Sequence, residues 1–228
     1  MRIAIVSKYD KRFLKKELEI FGFKIVKKNP EIVLSFGGDG TILYSERKYP
    51  SIPKLVIKYN SKIFRKYEYS LKNLEKILKK FLEGNFSIRE EIKLEAEFKG
   101  KKLLGLNEIQ LHNKILTRAL RFSLYVNGKK FKNLIGDGVI ISTPFGSTAY
   151  YSSTGGKPFK KGIGISFNNL FRKKIKSFVV NENSKIKVRL ENGAGLVLAD
   201  NCEKYFQVKD GEEFVIKKSE ETAKFIFV

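Results

Sequence analysis

Ser35-Phe36-Gly37-Gly38-Asp39-Gly40-Thr41 sets one carboxylate among three glycines, directly after the apolar run Ile32-Val33-Leu34. Glycines remove side chains where backbone must approach a ligand closely, and they permit a sharp turn from a strand into a helix. Backbone N–H groups at the helix start that follows, around Thr41–Leu43, can cradle a phosphate. An aspartate on that turn repels phosphate unless it has another task. It can take the proton of an attacking hydroxyl, or it can hold a divalent cation. The plainer alternative is a tight turn whose aspartate caps a helix. No Gly-Lys-Ser/Thr follows, so this is not a Walker A loop, and the glycine spacing is not that of a dinucleotide-binding Rossmann turn.

A second stretch runs Gly136-Asp137-Gly138-Val139-Ile140-Ile141-Ser142-Thr143-Pro144-Phe145-Gly146-Ser147-Thr148-Ala149-Tyr150, then Ser152-Ser153-Thr154-Gly155-Gly156. It is a strand bracketed by glycine turns and followed by a dense run of hydroxyls. Those hydroxyls and N–H groups suit a ligand with many acceptors, and Tyr150 offers a ring on which a base can stack. Asn107-Glu108 forms a third candidate, an amide beside a carboxylate that can bind adjacent sugar hydroxyls as donor and acceptor.

The elements that position these groups fall into two sets. Over residues 1–86, strand patterns (Arg2–Ser7, Phe23–Val26, Glu31–Phe36, Lys54–Ile57) alternate with helical ones. Lys11–Phe21 places Phe13, Leu14, Leu18 and Phe21 on one stripe, with Gly22 as C-cap. Ser70 stands as N-cap to a helix through Leu71, Leu74, Ile77, Leu78, Phe81 and Leu82. That alternation predicts a Rossmann-like α/β domain with a mostly parallel sheet. After Gly84 the period changes. Ile88–Phe98, Lys102–Leu111, Leu120–Val126 and further strand-like pieces to Phe225–Val228 predict a mostly antiparallel β-sandwich over 87–228, its last segment able to return to the first domain. Asn127-Gly128 between apolar strands is a hairpin signal. The fold class expected is therefore α/β + β.

Composition bounds the reading. The 228 residues include 42% hydrophobic and 13% aromatic side chains, enough for packed cores. No uninterrupted apolar stretch is long enough to span a bilayer, and the N-terminus reads as a first strand and not a secretory signal. The single cysteine, Cys202, excludes an internal disulfide and fits a reducing cytoplasm, and the single histidine, His112, excludes a His-based zinc site within one chain. Neither is expected to have a chemical role. A formal net charge of +22 favours anionic partners: nucleic acid, an acidic membrane or phosphorylated small molecules. The lysines occur in almost every segment without an RNA-binding or zinc-finger pattern, so no specific nucleic-acid partner is expected, and no membrane.

Gly37-Gly38-Asp39-Gly40-Thr41 resembles the signature shared by NAD kinases, diacylglycerol and sphingosine kinases and, more loosely, phosphofructokinases. Gly136–Gly156 closely resembles the long NAD kinase signature, and Asn107-Glu108 resembles that family's Asn-Glu pair. The resemblance implies transfer of the terminal phosphoryl group of ATP or polyphosphate to the adenosine ribose 2′-hydroxyl of NAD, giving NADP, with Asp39 as general base. It implies NAD contacts from Asp39, Gly40, Asn107, Glu108, Arg118, Asp137, Thr148, Ala149, Tyr150 and Ser153, and phosphate contacts from Gly37, Gly38, Gly40 and Thr41. Arg118 stands where the family carries a basic residue about ten positions after Asn-Glu. Mg²⁺ or another divalent cation, a homodimer or homotetramer whose neighbouring subunit completes the site, and a cytoplasmic enzyme are implied in the same way.

The sequence also departs from the family pattern. Ile135 replaces a basic residue, Phe145 replaces a Ser or Thr, and Asn168-Asn169 stands where a proline-containing turn is common. Asp200-Asn201-Cys202 stands for Asp-Gly-Gln, and the glycine-rich segment after the fourth strand is represented by Lys58–Phe64. A lipid-type kinase would share the first motif but not the second. A catalytically dead NAD-binding protein and a basic nucleic-acid binder are the remaining alternatives.

Overall fold

The computed structural model describes residues 1–58 and 70–228. The expected glycine-poor replacement segment therefore lies, apart from Lys58, outside the described residues. The chain divides into two compact units, Met1–Glu91 with Thr222–Val228, and Ile92–Glu221.

In the first unit β1 (Arg2–Ser7) leads through α1 (Arg12–Ile20) to the short β2 (Lys24–Ile25), then β3 (Ile32–Gly37), α2 (Asp39–Lys48), β4 (Lys54–Lys58) and α3 (Leu74–Leu82). The strands are parallel in the order β2-β1-β3-β4, and Phe225 and Ile226 extend the sheet beside Lys54 and Leu55. Ile3, Leu34, Leu55 and Ile57 pack with Leu14 and Leu18 of α1, with Leu74, Ile77, Leu78 and Phe81 of α3, and with Ile226. Ala4, Val6 and Val33 pack with Tyr49 and Ile52, just past α2. Burial of fully apolar side chains at these positions is the main stabilising term, roughly 1.5–3 kcal/mol each.

Three local expectations need correction. Phe13 is 53% exposed, so the buried stripe of α1 is Leu14 and Leu18 alone. Phe21 lies past the last turn, as the C-cap, and packs only partly against the same core. Ser70 makes no side-chain capping bond, and a 3-10 turn, Leu71–Asn73, precedes α3. The Phe23–Val26 strand shrinks to Lys24 and Ile25, in register with Arg2 and Ile3, because the Phe23 amide turns back to the Leu18 carbonyl of α1.

The second unit is a sandwich of two mainly antiparallel layers. Its strands are β5 (Ser87–Phe98), β6 (Lys101–Gly105), β7 (Glu108–Asn113), β8 (Leu120–Val126), β9 (Lys129–Gly136), β10 (Gly138–Ser142), β11 (Ile163–Asn168), β12 (Phe178–Val180), β13 (Ile186–Asn192), β14 (Ala194–Ala199), β15 (Tyr205–Lys209) and β16 (Glu213–Phe227). β5 and β16 run on into the first unit. One layer has the order β9-β8-β13-β16, with β5 on β16 and β6 on β5. The other has β12-β11-β10-β7-β14-β15. Alternate residues of both layers, such as Phe122 and Leu124, Val188, Ile109 and Leu111, Val139 and Ile141, form one core. At Asn127-Gly128 both residues have positive φ (48° and 76°), and Val126 pairs with Lys129. This is the two-residue turn that the dipeptide predicts.

The expected continuous strand Lys102–Leu111 is broken. β6 ends at Gly105, Leu106-Asn107 bend, and β7 begins at Glu108. Asn107 therefore sits on a bend between strands and not within one. A 3-10 turn (Phe145–Thr148) and a short α4 (Tyr150–Ser153) follow β10.

Candidate active site

In the first unit the glycine-rich loop is the junction of β3 and α2. Gly38 has an extended backbone (φ −102°, ψ −168°) and precedes Asp39, the first helical residue. The amides of Thr41 and Ile42 both reach the Gly38 carbonyl, at 2.9 and 3.2 Å. A Cβ at Gly37 would lie 2.9 Å from Thr41 Cβ and 2.3 Å from its hydroxyl, so only glycine lets the helix start fold this tightly. Gly38, Asp39 and Gly40 are half-exposed. Asp39 lies in the first turn, and Arg47 and Lys48 in the last, each sign complementing the helix dipole.

The helix is held from behind. The Ser45 hydroxyl donates to the Thr41 carbonyl (2.7 Å) and lies 3.0 Å from Ser35 Oγ on β3. Glu46 and Lys54 form an ion pair with both side chains buried, and Lys54 Nζ also donates to the Tyr49 carbonyl at 2.8 Å. The Ser51 amide donates to Glu46 Oε1 at 3.2 Å.

In the second unit the Leu106–Glu108 bend is fixed by a residue 92 positions beyond Glu108. The amides of Leu106, Asn107 and Glu108 all donate to the Asp200 carboxylate, at 2.8, 2.8 and 3.1 Å. From the other side the Thr143 hydroxyl donates to the Leu106 carbonyl (2.6 Å) and the Thr143 amide to the Asn107 carbonyl (2.9 Å). A Cβ at Gly146 would stand 2.1 Å from the Asn107 carbonyl oxygen, so the glycine of the hydroxyl-rich stretch is what lets that stretch close on the bend.

Successive outward residues of β7 form a polar line. Gln110 Nε2 donates to Glu108 Oε1 at 2.9 Å, and Gln110 Oε1 lies 2.9 Å from His112 Nε2. Glu108 and Gln110 are buried, and His112 is half-buried. The His112 ring stacks on that of Tyr150, with centroids 5.6 Å apart at 8°. Burial lowers the His112 pKa from its usual 6.5, and the Asp137 carboxylate opposes that shift. Tyr151 is buried, which turns Tyr150 outward to half-exposure, where Asn168 Nδ2 lies 3.3 Å from its hydroxyl. Asp137 is held by the Asn169 side chain (2.8 Å), and its amide donates to the Asn168 carbonyl (3.0 Å). Asn169 has φ 48°, so these asparagines make their own turn without proline.

Of the residues singled out in the sequence, Asn107, Glu108, Asp137 and Tyr150 are therefore connected through short contacts within this unit. Ala149 is the N-cap of α4, Thr148 before it and Ser153 at its end are exposed, and the Ser153 hydroxyl lies 3.5 Å from the Ala149 carbonyl. Arg118 stands on the exposed 114–119 turn, its amide bonded to the Ile115 carbonyl. No described hydrogen bond or ion pair joins it to the others. Phe145 is 7% exposed, so packing replaces the polar contact expected there. Ile135 is half-buried. The sequence singled out neither Gln110 nor a chemical role for His112, although both alternate with Glu108 on one strand face. It showed Asp200 only as a motif fragment.

The family of ATP-NAD kinase C-terminal domains matches residues 106–228, more than half of the chain. The chain belongs to the NAD kinase family. An NAD kinase from Thermoplasma volcanium is 30% identical over 210 residues, 90% of this chain and 76% of the relative. The crystal structure of an NAD kinase from Archaeoglobus fulgidus in complex with ATP has a TM-score of 0.86 at 28% identity, covering 99% of this chain and 93% of that one. Yeast NADH kinase complexed with NADH has a TM-score of 0.88 at 14% identity, covering 100% and 83%, a likeness of fold. As an NAD kinase family member the chain is a phosphotransferase, and the lipid-type and purely nucleic-acid-binding alternatives fall away. Among the described residues no helix is long and apolar enough to cross a membrane.

Proposed function

We propose that this NAD kinase transfers the terminal phosphoryl group of ATP or polyphosphate to the adenosine ribose 2′-hydroxyl of NAD, with Asp39 as general base. The observation that carries the reading is the placement of Asp39: a half-exposed carboxylate at the first residue of α2, on a turn that Gly37 alone can make. A sugar hydroxyl is a poor nucleophile at neutral pH, and a positioned carboxylate that accepts its proton lowers the barrier. The 2′-oxygen attacks the terminal phosphorus, the hydroxyl proton passes to Asp39, and ADP or the shortened polyphosphate leaves. Gly37, Gly38, Gly40 and Thr41 line the phosphate site, the glycines admitting a phosphate without bulk, while the Thr41 amide stays bonded to the Gly38 carbonyl. Asn107 and Glu108 bind sugar hydroxyls, Tyr150 stacks on a base, and Asp137, Thr148, Ala149 and Ser153 hold the remaining nucleoside groups.

A divalent cation, Mg²⁺ or another, neutralises donor phosphates when bound. Among the described residues no three His, Cys, Asp or Glu side chains group as a metal cage. Mg²⁺ keeps several waters and binds largely through substrate phosphates, and no side chain is assigned to it. The test is product analysis: protein, NAD and Mg²⁺ with ATP, or with polyphosphate, followed by ³¹P NMR and an NADP-specific dehydrogenase. A 2′-phosphomonoester that the dehydrogenase accepts supports the reading. Absence of that product with either donor would overturn it.

A further inference from the structure

Gln110 and His112 lie outside every role assigned above, yet they join two groups that have one. Glu108 Oε1 accepts from Gln110 Nε2 at 2.9 Å, Gln110 Oε1 meets His112 Nε2 at 2.9 Å, and the His112 ring lies nearly parallel to Tyr150. The chemistry of the line fixes its direction. The amide nitrogen of Gln110 donates to Glu108, which leaves its oxygen facing His112. That oxygen in turn requires a proton on His112 Nε2, which selects one imidazole tautomer. Gln110 is 7% exposed, so it cannot exchange these bonds for water without cost. Tyr150, by contrast, is half-exposed on a four-residue helix, where its ring would otherwise sample several rotamers.

We propose that Gln110 and His112 are positioning residues that hold the Tyr150 ring, as a base-stacking platform, in fixed relation to the sugar-binding carboxylate of Glu108. This rests on the reading that Tyr150 and Glu108 bind NAD. The ligand base then stacks on the face of Tyr150 opposite His112, so that base, phenol and imidazole form one pile. Offset stacking of this kind favours a ring whose plane is already set. The line therefore acts on NAD affinity and not on proton transfer at Asp39.

Because His112 is the single histidine of the chain, its imidazole signals are unambiguous in NMR. In the free protein, ¹⁵N-edited spectra should show the Nε2–H tautomer, and saturating NAD should move the His112 C–H resonances by ring current. Gln110→Leu, which loses two hydrogen bonds, and His112→Phe, which keeps ring and volume and loses one, should each raise KM for NAD by roughly tenfold or more. They should leave kcat within about threefold and KM for the phosphoryl donor unchanged. An Nδ1–H tautomer, a His112 signal indifferent to bound NAD, or an unchanged KM for NAD in whichever variant folds would each overturn the proposal. Tyr150→Ala separates the two levels. If it raises KM for NAD while the Gln110 and His112 variants do not, only this proposal fails. If Tyr150→Ala also leaves KM for NAD unchanged, the reading of the binding site fails and the proposal with it.

Discussion

Asp39 and Asp200 are both aspartates on glycine- or asparagine-flanked turns, and their surroundings give them opposite tasks. Asp39 is half-exposed at a helix start, whereas the Asp200 carboxylate gathers three backbone amides. Asp39→Asn should lower kcat by about 10²–10⁴-fold, the range for a lost general base, with the Kd for NAD, read by calorimetry, within a few-fold of wild type. Near-wild-type kcat would remove the base role. Asp200→Ala leaves three amides without their acceptor and should raise KM for NAD, since the bend carrying Asn107 and Glu108 loosens. Asp200→Asn, which keeps one oxygen, should fall between. At His112 the sign of the pH effect follows from burial. The folded state lowers its pKa, so the unfolded chain binds the proton more readily. Its contribution is fully present above the ordinary value of 6.5 and is lost as pH falls through the lowered folded value. The melting temperature of wild type minus that of His112→Phe should therefore shrink between pH 8 and pH 5. A difference that is constant or grows would contradict it.

At the scale of elements, the sequence was legible where a local rule decides and silent where a distant residue does. Asn127-Gly128 announced its hairpin because two consecutive positive φ values have few solutions. The spacing of Leu74, Ile77, Leu78 and Phe81 announced α3, and all four are buried. The glycine-rich loop was legible for the same reason, as strand, glycines and helix are contiguous. The break at Leu106-Asn107 was not, because Leu103-Leu104-Gly105-Leu106 reads as one apolar run and the bend is imposed by Asp200 and Thr143. The role of Gln110 depends on how β7 pairs and on which face is covered, neither of which its own residues reveal. The fit of the hydroxyl-rich stretch against the bend can be probed at Gly146. Gly146→Ala drives a methyl into the Asn107 carbonyl and should cost about 1–3 kcal/mol in chemical denaturation, with KM for NAD rising. Unchanged stability would mean that the contact relaxes freely.

For the molecule as a whole, 46 Lys and Arg residues against 24 Asp and Glu leave 22 cations in excess of any acidic counterpart. Screening should relieve that self-repulsion. The melting temperature should rise from low to about 0.5 M salt, the regime in which the Debye length falls well below 10 Å. A falling melting temperature would show instead that ion pairs such as Lys93–Glu221, at 2.9 Å, outweigh the repulsion.

The last strand carries a further consequence, for the order in which the chain can fold. Phe225 and Ile226 sit beside Lys54 and Leu55, and both are almost wholly buried. During synthesis the glycine-rich loop, its helix and the buried Glu46–Lys54 pair emerge early, yet the sheet they belong to lacks a member until residue 226 has been made. The first unit must therefore wait on a ribosome that is still producing the second. Ile226→Ala should cost about 2–5 kcal/mol, and removal of residues 222–228 should expose the early segments to protease.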